Sequence, residues 1–328
     1  MNRFNQLLVA ALAAQVVIAG GIYYGGQPPA ADQIQIALLN SEKDQIDRIT
    51  IDEGDGKQVI LSKINGKWQL PDYYQLPAVQ HKVDSILNTL QTTKSGWPVA
   101  TTASSRERFE VSDDSYQKKV VLSQGGNAVQ TLYLGTSPGF RQLHVRRSGE
   151  DEVYTVKLNS FDFPSQATQW LNKGLLQTKA DIASLEGPDY AFERRGETWQ
   201  LKEGDGEAVV DEIEKVIRTL ARLNIQGANE KTPQNVDYEL VVKSGGETRT
   251  YQFFKVDSEH FVSRDDFSQA FKINKSDFES ITGQTATRLV KQVEFKEESS
   301  IADSENEKRT QNLNTSNTEK EVMQNENS

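Results

Sequence analysis

Two stretches of the chain carry the same pattern of apolar and polar positions. Val79, Val83, Ile86, Leu87 and Leu90 fall at spacings of 4, 3, 1 and 3, which is one face of an α-helix. Val209, Ile213, Val216, Ile217 and Leu220 repeat that face, each 130 positions on. Just before each helix stands the same short phrase, GKWQL at 66–70 and ETWQL at 197–201. Trp is scarce, with 4 in 328 residues, so two in one phrase mark a repeated unit.

The echo continues downstream in alternating patterns that predict strands. VVLSQGGNAVQTLYL at 120–134 answers LVVKSGGETRTYQFF at 240–254. In each, a Gly-Gly pair supplies the positive φ of a tight hairpin turn. VYTVKLNSF at 153–161 answers AFKINKSDF at 270–278, which pairs Phe161 with Phe278. A longer connection in the first copy, roughly 91–116, holds Trp97-Pro98 and the run RERFE. The pattern predicts an α+β body of two tandem antiparallel-sheet-plus-helix units, 43–176 and 179–293. Trp68, Trp199, Leu87, Ile217, Phe161 and Phe278 are the expected shared core, with each Trp plugging a helix-to-sheet interface.

Residues 7–24, LLVAALAAQVVIAGGIYY, have no charge and as a helix span about 27 Å, close to a bilayer core. Arg3 precedes them, and Tyr23 and Tyr24 stand where an interfacial belt would lie. Residues 1–25 are therefore read as a transmembrane anchor with its amino end in the cytoplasm. A cleaved signal peptide, with Val17 and Ala19 before the cut, is the other reading; either exports the body. If the helix stays in the bilayer, Ala10, Ala14 and Gly21 permit close approach of a partner helix and Gln15 offers it a hydrogen bond. Residues 26–42, which include GGQPPA, read as a linker.

Net charge is -10, with Lys+Arg 37 against Asp+Glu 47, which argues against nucleic acid as a partner. Residues 297–328 are acidic, rich in Asn, Glu, Ser and Thr, and read as a disordered tail. With no Cys, thiolate nucleophiles, disulfides and zinc-thiolate sites are out of reach. His81, His144 and His260 lack metal-ligand spacing, so no metal and no cofactor is expected. EGDG at 53–56 and 203–206 reads as turn chemistry, not a calcium loop. No nucleophile elbow, phosphate loop or dinucleotide fingerprint is present. Ser115 and Lys118 match S-x-x-K, and Asp113-Asp114 and Asp265-Asp266 are paired acids in apparent loops. Arg141, Arg146 and Arg147 read as a modest basic patch or the polar side of a strand. No catalytic residue is assigned.

The order of GKWQL, SILNTL, RFEV, LYLG, HVRR, VYTV and QWLNKGLL behind one hydrophobic segment resembles the bacterial domain-of-unknown-function family 4340. The likeness covers about 43–176 well and the second copy to 293 more loosely. The family has an aromatic-Gly-Leu phrase where this chain has Phe109-Glu110-Val111, and a Tyr where it has His144. Such proteins are often encoded beside the ATPase and permease of an ABC-type transport system. The resemblance implies a non-enzymatic, membrane-tethered accessory or scaffolding subunit of that transport complex, single-pass in the inner membrane with its body in the periplasm. The rival expectation is an envelope glycan- or peptide-binding module, or a hydrolase, with a cleft between the repeats.

Overall fold

The computed structural model describes residues 3–25, 36–178, 181–230 and 235–292. Most of the expected linker, 26–35, and the whole acidic tail, 297–328, lie outside the described residues. Helix α1 covers Arg3–Gly25. Then come β1 (Ile36–Ala37), β2 (Arg48–Asp52), β3 (Gln58–Ile64), β4 (Lys67–Leu70), β5 (Leu76–Pro77) and α2 (Gln80–Thr92). They are followed by β6 (Lys94–Ser95), α3 (Ala103–Arg108), β7 (Lys118–Gln124), β8 (Asn127–Leu134), β9 (Leu143–Arg147) and β10 (Val153–Val156). Next are β11 (Ile182–Glu186), β12 (Ala191–Arg195), β13 (Thr198–Leu201), β14 (Glu207–Ala208), α4 (Val210–Ala221) and β15 (Ile225–Asn229). The described chain closes with β16 (Tyr238–Ser244), β17 (Glu247–Val256), β18 (Glu259–Arg264), β19 (Ala270–Ile273), α5 (Lys275–Thr282), α6 (Ala286–Leu289) and β20 (Val290–Lys291).

The fold is mixed, with few helices and two large antiparallel sheets. One sheet runs β10-β9-β8-β7-β2-β3-β4-β5 and the other β15-β19-β18-β17-β16-β11-β12-β13. With β5 and β15 set aside, the two orders match: β10 answers β19, β9 answers β18, and so on to β4 and β13. After α2 the chain returns beside β10, where Val99 N donates to Val153 O (2.7 Å) and Val153 N to Ala100 O (2.8 Å). After α4 it returns as β15 beside β19. The hairpin tips read from sequence sit where the Gly pairs are, at φ 58° and 82° for Gly125-Gly126 and 58° and 83° for Gly245-Gly246. Compactness divides the chain differently from the sheets. One unit holds 1–177, 222–237 and 253–278, the other 178–221, 238–252 and 279–328.

In the first unit α2 buries Val83, Ile86, Leu87 and Leu90, the face expected from their spacing. Trp68 is 2% exposed. Its strand is locked to the start of α2 by the Gln80 amide, which accepts from Trp68 N (2.8 Å) and donates to Trp68 O (2.9 Å). In the second unit α4 buries Ile213, Val216, Ile217 and Leu220, and the Trp199 indole N–H donates to Glu214 Oε1 (3.4 Å) on that helix. Phe278 is buried, but Phe161 is 85% exposed and is not core. Phe161 sits in a single 3₁₀ turn, Ser160–Asp162, and the Asn159 side chain caps the turn by accepting from Phe161 N (3.2 Å). Phe163, two residues on, is the buried ring of this turn.

The long connection of the first copy contains α3. Glu110 N donates to Glu107 O and Val111 N to Arg106 O (2.9 Å), the paired bonds of a Schellman helix end. Glu110 holds the left-handed position of that motif, at φ 55°. Glu110→Gly is expected to raise stability by about 0.5–1 kcal/mol, relieving strain at the cost of an exposed bond from Gln117. Urea denaturation checks it; a loss of stability would show that the Glu110 side chain matters more than its backbone.

Candidate interaction surface

Helix α1 contains no acidic residue in its first turn and no basic residue in its last. Val9, Leu12, Val16, Val17 and Ile18 are 59–73% exposed. Ala14, Gln15 and Gly21 are exposed too, while the side chain of Ala10 lies outside the described residues. Among the described residues no helix is long and apolar enough to cross a membrane. The side chains of Leu7, Leu8, Ile22, Tyr23 and Tyr24, which complete the apolar run, also lie outside that set.

Two adjoining hollows open on the first unit. One, of about 300 Å³, lies between the outward side of α2 and the 160–163 turn. Val79, Ile86 and Phe163 give it an apolar floor, and His81, Lys82, Ser85 and Asp162 its polar rim. Lys82 lies flat across Trp170, its Nζ 4.4 Å from the ring centroid, and donates to Gln169 O (3.0 Å). Trp170 is fully buried and its indole N–H donates to Pro164 O (2.8 Å). Burial holds the Lys82 ammonium below the ordinary lysine value; Lys173 adds to this and Asp162 opposes it.

The second hollow, of about 490 Å³, shares Asp162 and is lined by Phe140, Arg141, Gln142, Lys157, Leu158 and Asn159. Phe140 stands at the tip of the β8–β9 hairpin, 87% exposed. The tip is a built structure: Ser137 Oγ lies within hydrogen-bond reach of Gly139 O (2.8 Å) and Gln142 O (2.7 Å). The Arg141 guanidinium lies 5.1 Å from the Phe140 ring. Phe161, next to Asp162, is the other exposed aromatic of this region. Sequence reasoning missed Phe140, although an aromatic inside SPGFRQ, between turn residues and a cation, is a readable signal.

Of the expected basic patch only Arg141 is exposed. Arg146 is 3% and Arg147 2% exposed, so they are not the polar side of a strand. Both faces of β9 are covered. On one, Arg146 Nε donates to Val111 O (2.6 Å), Nη2 lies 3.0 Å from Asp113 Oδ1, and the guanidinium stacks 4.5 Å from the Tyr133 ring centroid. On the other, Arg147 donates to Ala37 O (2.9 Å) and to Glu150 Oε2 (3.1 Å). Asp113 therefore faces a cation rather than another acid. The Tyr133 hydroxyl, and then Arg146, hold its carboxyl below the usual carboxylate value. Lys118 is ion-paired with Glu53, which removes it as a base for Ser115.

His144 is buried and stacked on Phe109 (centroids 4.1 Å), with Nδ1 2.9 Å from Thr136 Oγ1. Burial pushes its pKa down; a hydrogen bond with the Thr136 backbone opposes this, and the Arg108 charge adds to it. A folded pKa below the unfolded 6.5 means that the unfolded chain binds the proton first. Stability is then complete above about pH 6.5 and falls as pH drops toward the lowered folded value. His144→Tyr, which removes the imidazole, is expected to flatten the melting temperature between pH 7 and 5. An unchanged slope would place the sensitivity elsewhere. His260 packs edge-on against Phe278 (4.8 Å).

In the second unit a hollow of about 880 Å³ is lined by Asp189, Tyr190, Glu203 and Asp205 among others. The Tyr190 hydroxyl pairs with that of Tyr238 (2.6 Å). Burial pushes the Tyr190 phenol up to about 12 and Tyr238 higher still, so both stay protonated at neutral pH. Among the described residues no three His, Asp or Glu come together as a metal-ligand group.

No curated protein and no solved structure matches the chain. The family described as a domain of unknown function, DUF4340, matches residues 68–241. That match is more than half of the chain, opens on the Trp68 strand, includes α2, the Schellman turn, the β8–β9 tip and α4, and ends in β16; the chain belongs to the DUF4340 family.

Proposed function

We propose that this chain is a membrane-tethered, non-enzymatic accessory or scaffolding subunit of an envelope ABC-type transport system, with α1 as a single-pass anchor and the sheets in the periplasm. The observation that carries the reading is the exposure of α1. At 100° per residue Val9, Leu12 and Val16 fall on one side of the helix, Val17 about 80° and Ile18 about 180° round from Val9, and each is 59–73% exposed. A helix that is apolar all round has no polar face to turn to water, so its natural surroundings are lipid or other apolar helices. Ala14 and Gly21 would allow a partner helix close, with Gln15 hydrogen-bonding to it. The link to a transporter rests on the resemblance.

Alkaline carbonate extraction of cell membranes tests the tether. The chain is expected to stay in the pellet and to leave only with detergent. A carboxyl-terminal tag is expected to be cut by protease added to spheroplasts. Release by carbonate, or a protected tag, would contradict the anchor or its orientation.

A further inference from the structure

We infer that the Phe140–Phe161 surface of the first unit docks onto an anionic lipid bilayer. Phe140, 87% exposed, lines the second hollow, and Phe161, 85% exposed, flanks Asp162, which lines it too; each stands on a short turn fixed by its own hydrogen bonds. An aromatic ring held in water by a rigid tip gains nothing for the fold, and it gains apolar burial once it enters a bilayer interface. Arg141 and Lys157 line the second hollow, with Lys82 in the adjoining one. Asp162 is the acid lining both hollows. The chain as a whole is at -10, so a cationic aromatic surface runs against its general charge and suits anionic headgroups. The Phe rings would enter the headgroup–acyl boundary while the cations meet phosphates, as interfacial anchors do. If α1 is a membrane anchor, the body is tethered to the same bilayer. That part of the inference rests on the tether; the surface chemistry does not.

The chain has no Cys, so one introduced Cys takes a unique nitroxide label. Ser160→Cys places the label beside Phe161, and Asp205→Cys places a control in an exposed turn of the second unit. Full-length chain is reconstituted in nanodiscs of phosphatidylcholine alone, or of phosphatidylcholine and phosphatidylglycerol in equal parts. Accessibility of the label to oxygen and to a soluble nickel chelate is then read by power saturation. In anionic discs the Ser160 label is expected to gain oxygen exposure and lose nickel access, the Asp205 label to stay unchanged, and Phe140→Ser with Phe161→Ser to abolish the effect. A Ser160 label that remains nickel-accessible in anionic discs would overturn the inference. So would protection that survives the double Phe substitution, or protection that arises only on adding a protein partner. Failure of the chain to co-elute with either disc would overturn the tether alone. Added anionic vesicles then decide the surface: protection of the Ser160 label upholds lipid docking, and its absence refutes it.

Discussion

Gly135→Ala is expected to cost at least about 3 kcal/mol, a large share of the ~5–15 kcal/mol that holds a domain folded. A Cβ at Gly135 would lie 2.0 Å from Phe109 O, 2.6 Å from Glu110 O and 2.7 Å from Val111 Cγ1. Two of these are backbone atoms in the Schellman turn, so no rotamer change makes room. The turn would have to withdraw from β8. Withdrawal breaks the bond from Thr136 N to Phe109 O (2.9 Å), uncovers the fully buried Val111, and opens its cluster with Tyr133 and Val153. It also takes Val111 O away from the buried Arg146 guanidinium, whose desolvation cost is then uncompensated. Urea denaturation of wild type and variant gives the difference directly. A change within about 0.5 kcal/mol, the range of an ordinary surface substitution, would mean that LYLG does not meet this turn.

Phe163→Ala is expected to cost about 3–5 kcal/mol, while Phe161→Ala stays within about 0.5 kcal/mol. Phe163 is 1% exposed beneath α2 and floors the first hollow, so truncation removes a ring from a packed core and leaves a cavity. Phe161, two residues earlier, touches water over most of its surface. The two variants also separate fold from function: Phe161→Ser weakens lipid docking without unfolding the chain. Equal costs for the two rings, read from the same denaturation curves, would restore Phe161 to the core.

That pair shows where sequence pattern stops informing. The 3.6-residue face of Val83, Ile86, Leu87 and Leu90, the matching face on α4 and the Gly-Gly tips were legible because each is fixed by neighbours within a few residues. The phase of a single 3₁₀ turn is not, because two residues along it separate a buried ring from an exposed one. The burial of Arg146 and Arg147 was illegible for another reason. LHVRR reads as a strand with a wet side, yet its covers come from Val111, 35 residues away, and Ala37, 110 residues away. The two-residue strands β1, β6, β14 and β20 are likewise made by distant partners rather than by local pattern. Of the interaction surface, the cation Arg141 was legible and Phe140 beside it was not, because a lone aromatic among turn residues belongs to no helical or strand periodicity.

The central claim is that the chain is an accessory subunit of a membrane transport complex, and co-purification tests it most directly. The carboxyl end is tagged, membranes are solubilised in mild detergent, and whatever elutes in near-equal amount is identified. The account predicts a permease and its ATPase, and predicts their loss when Ala14 and Gly21 are replaced by Leu on α1. A solitary chain, recovered clean from several detergents and after crosslinking, would contradict it.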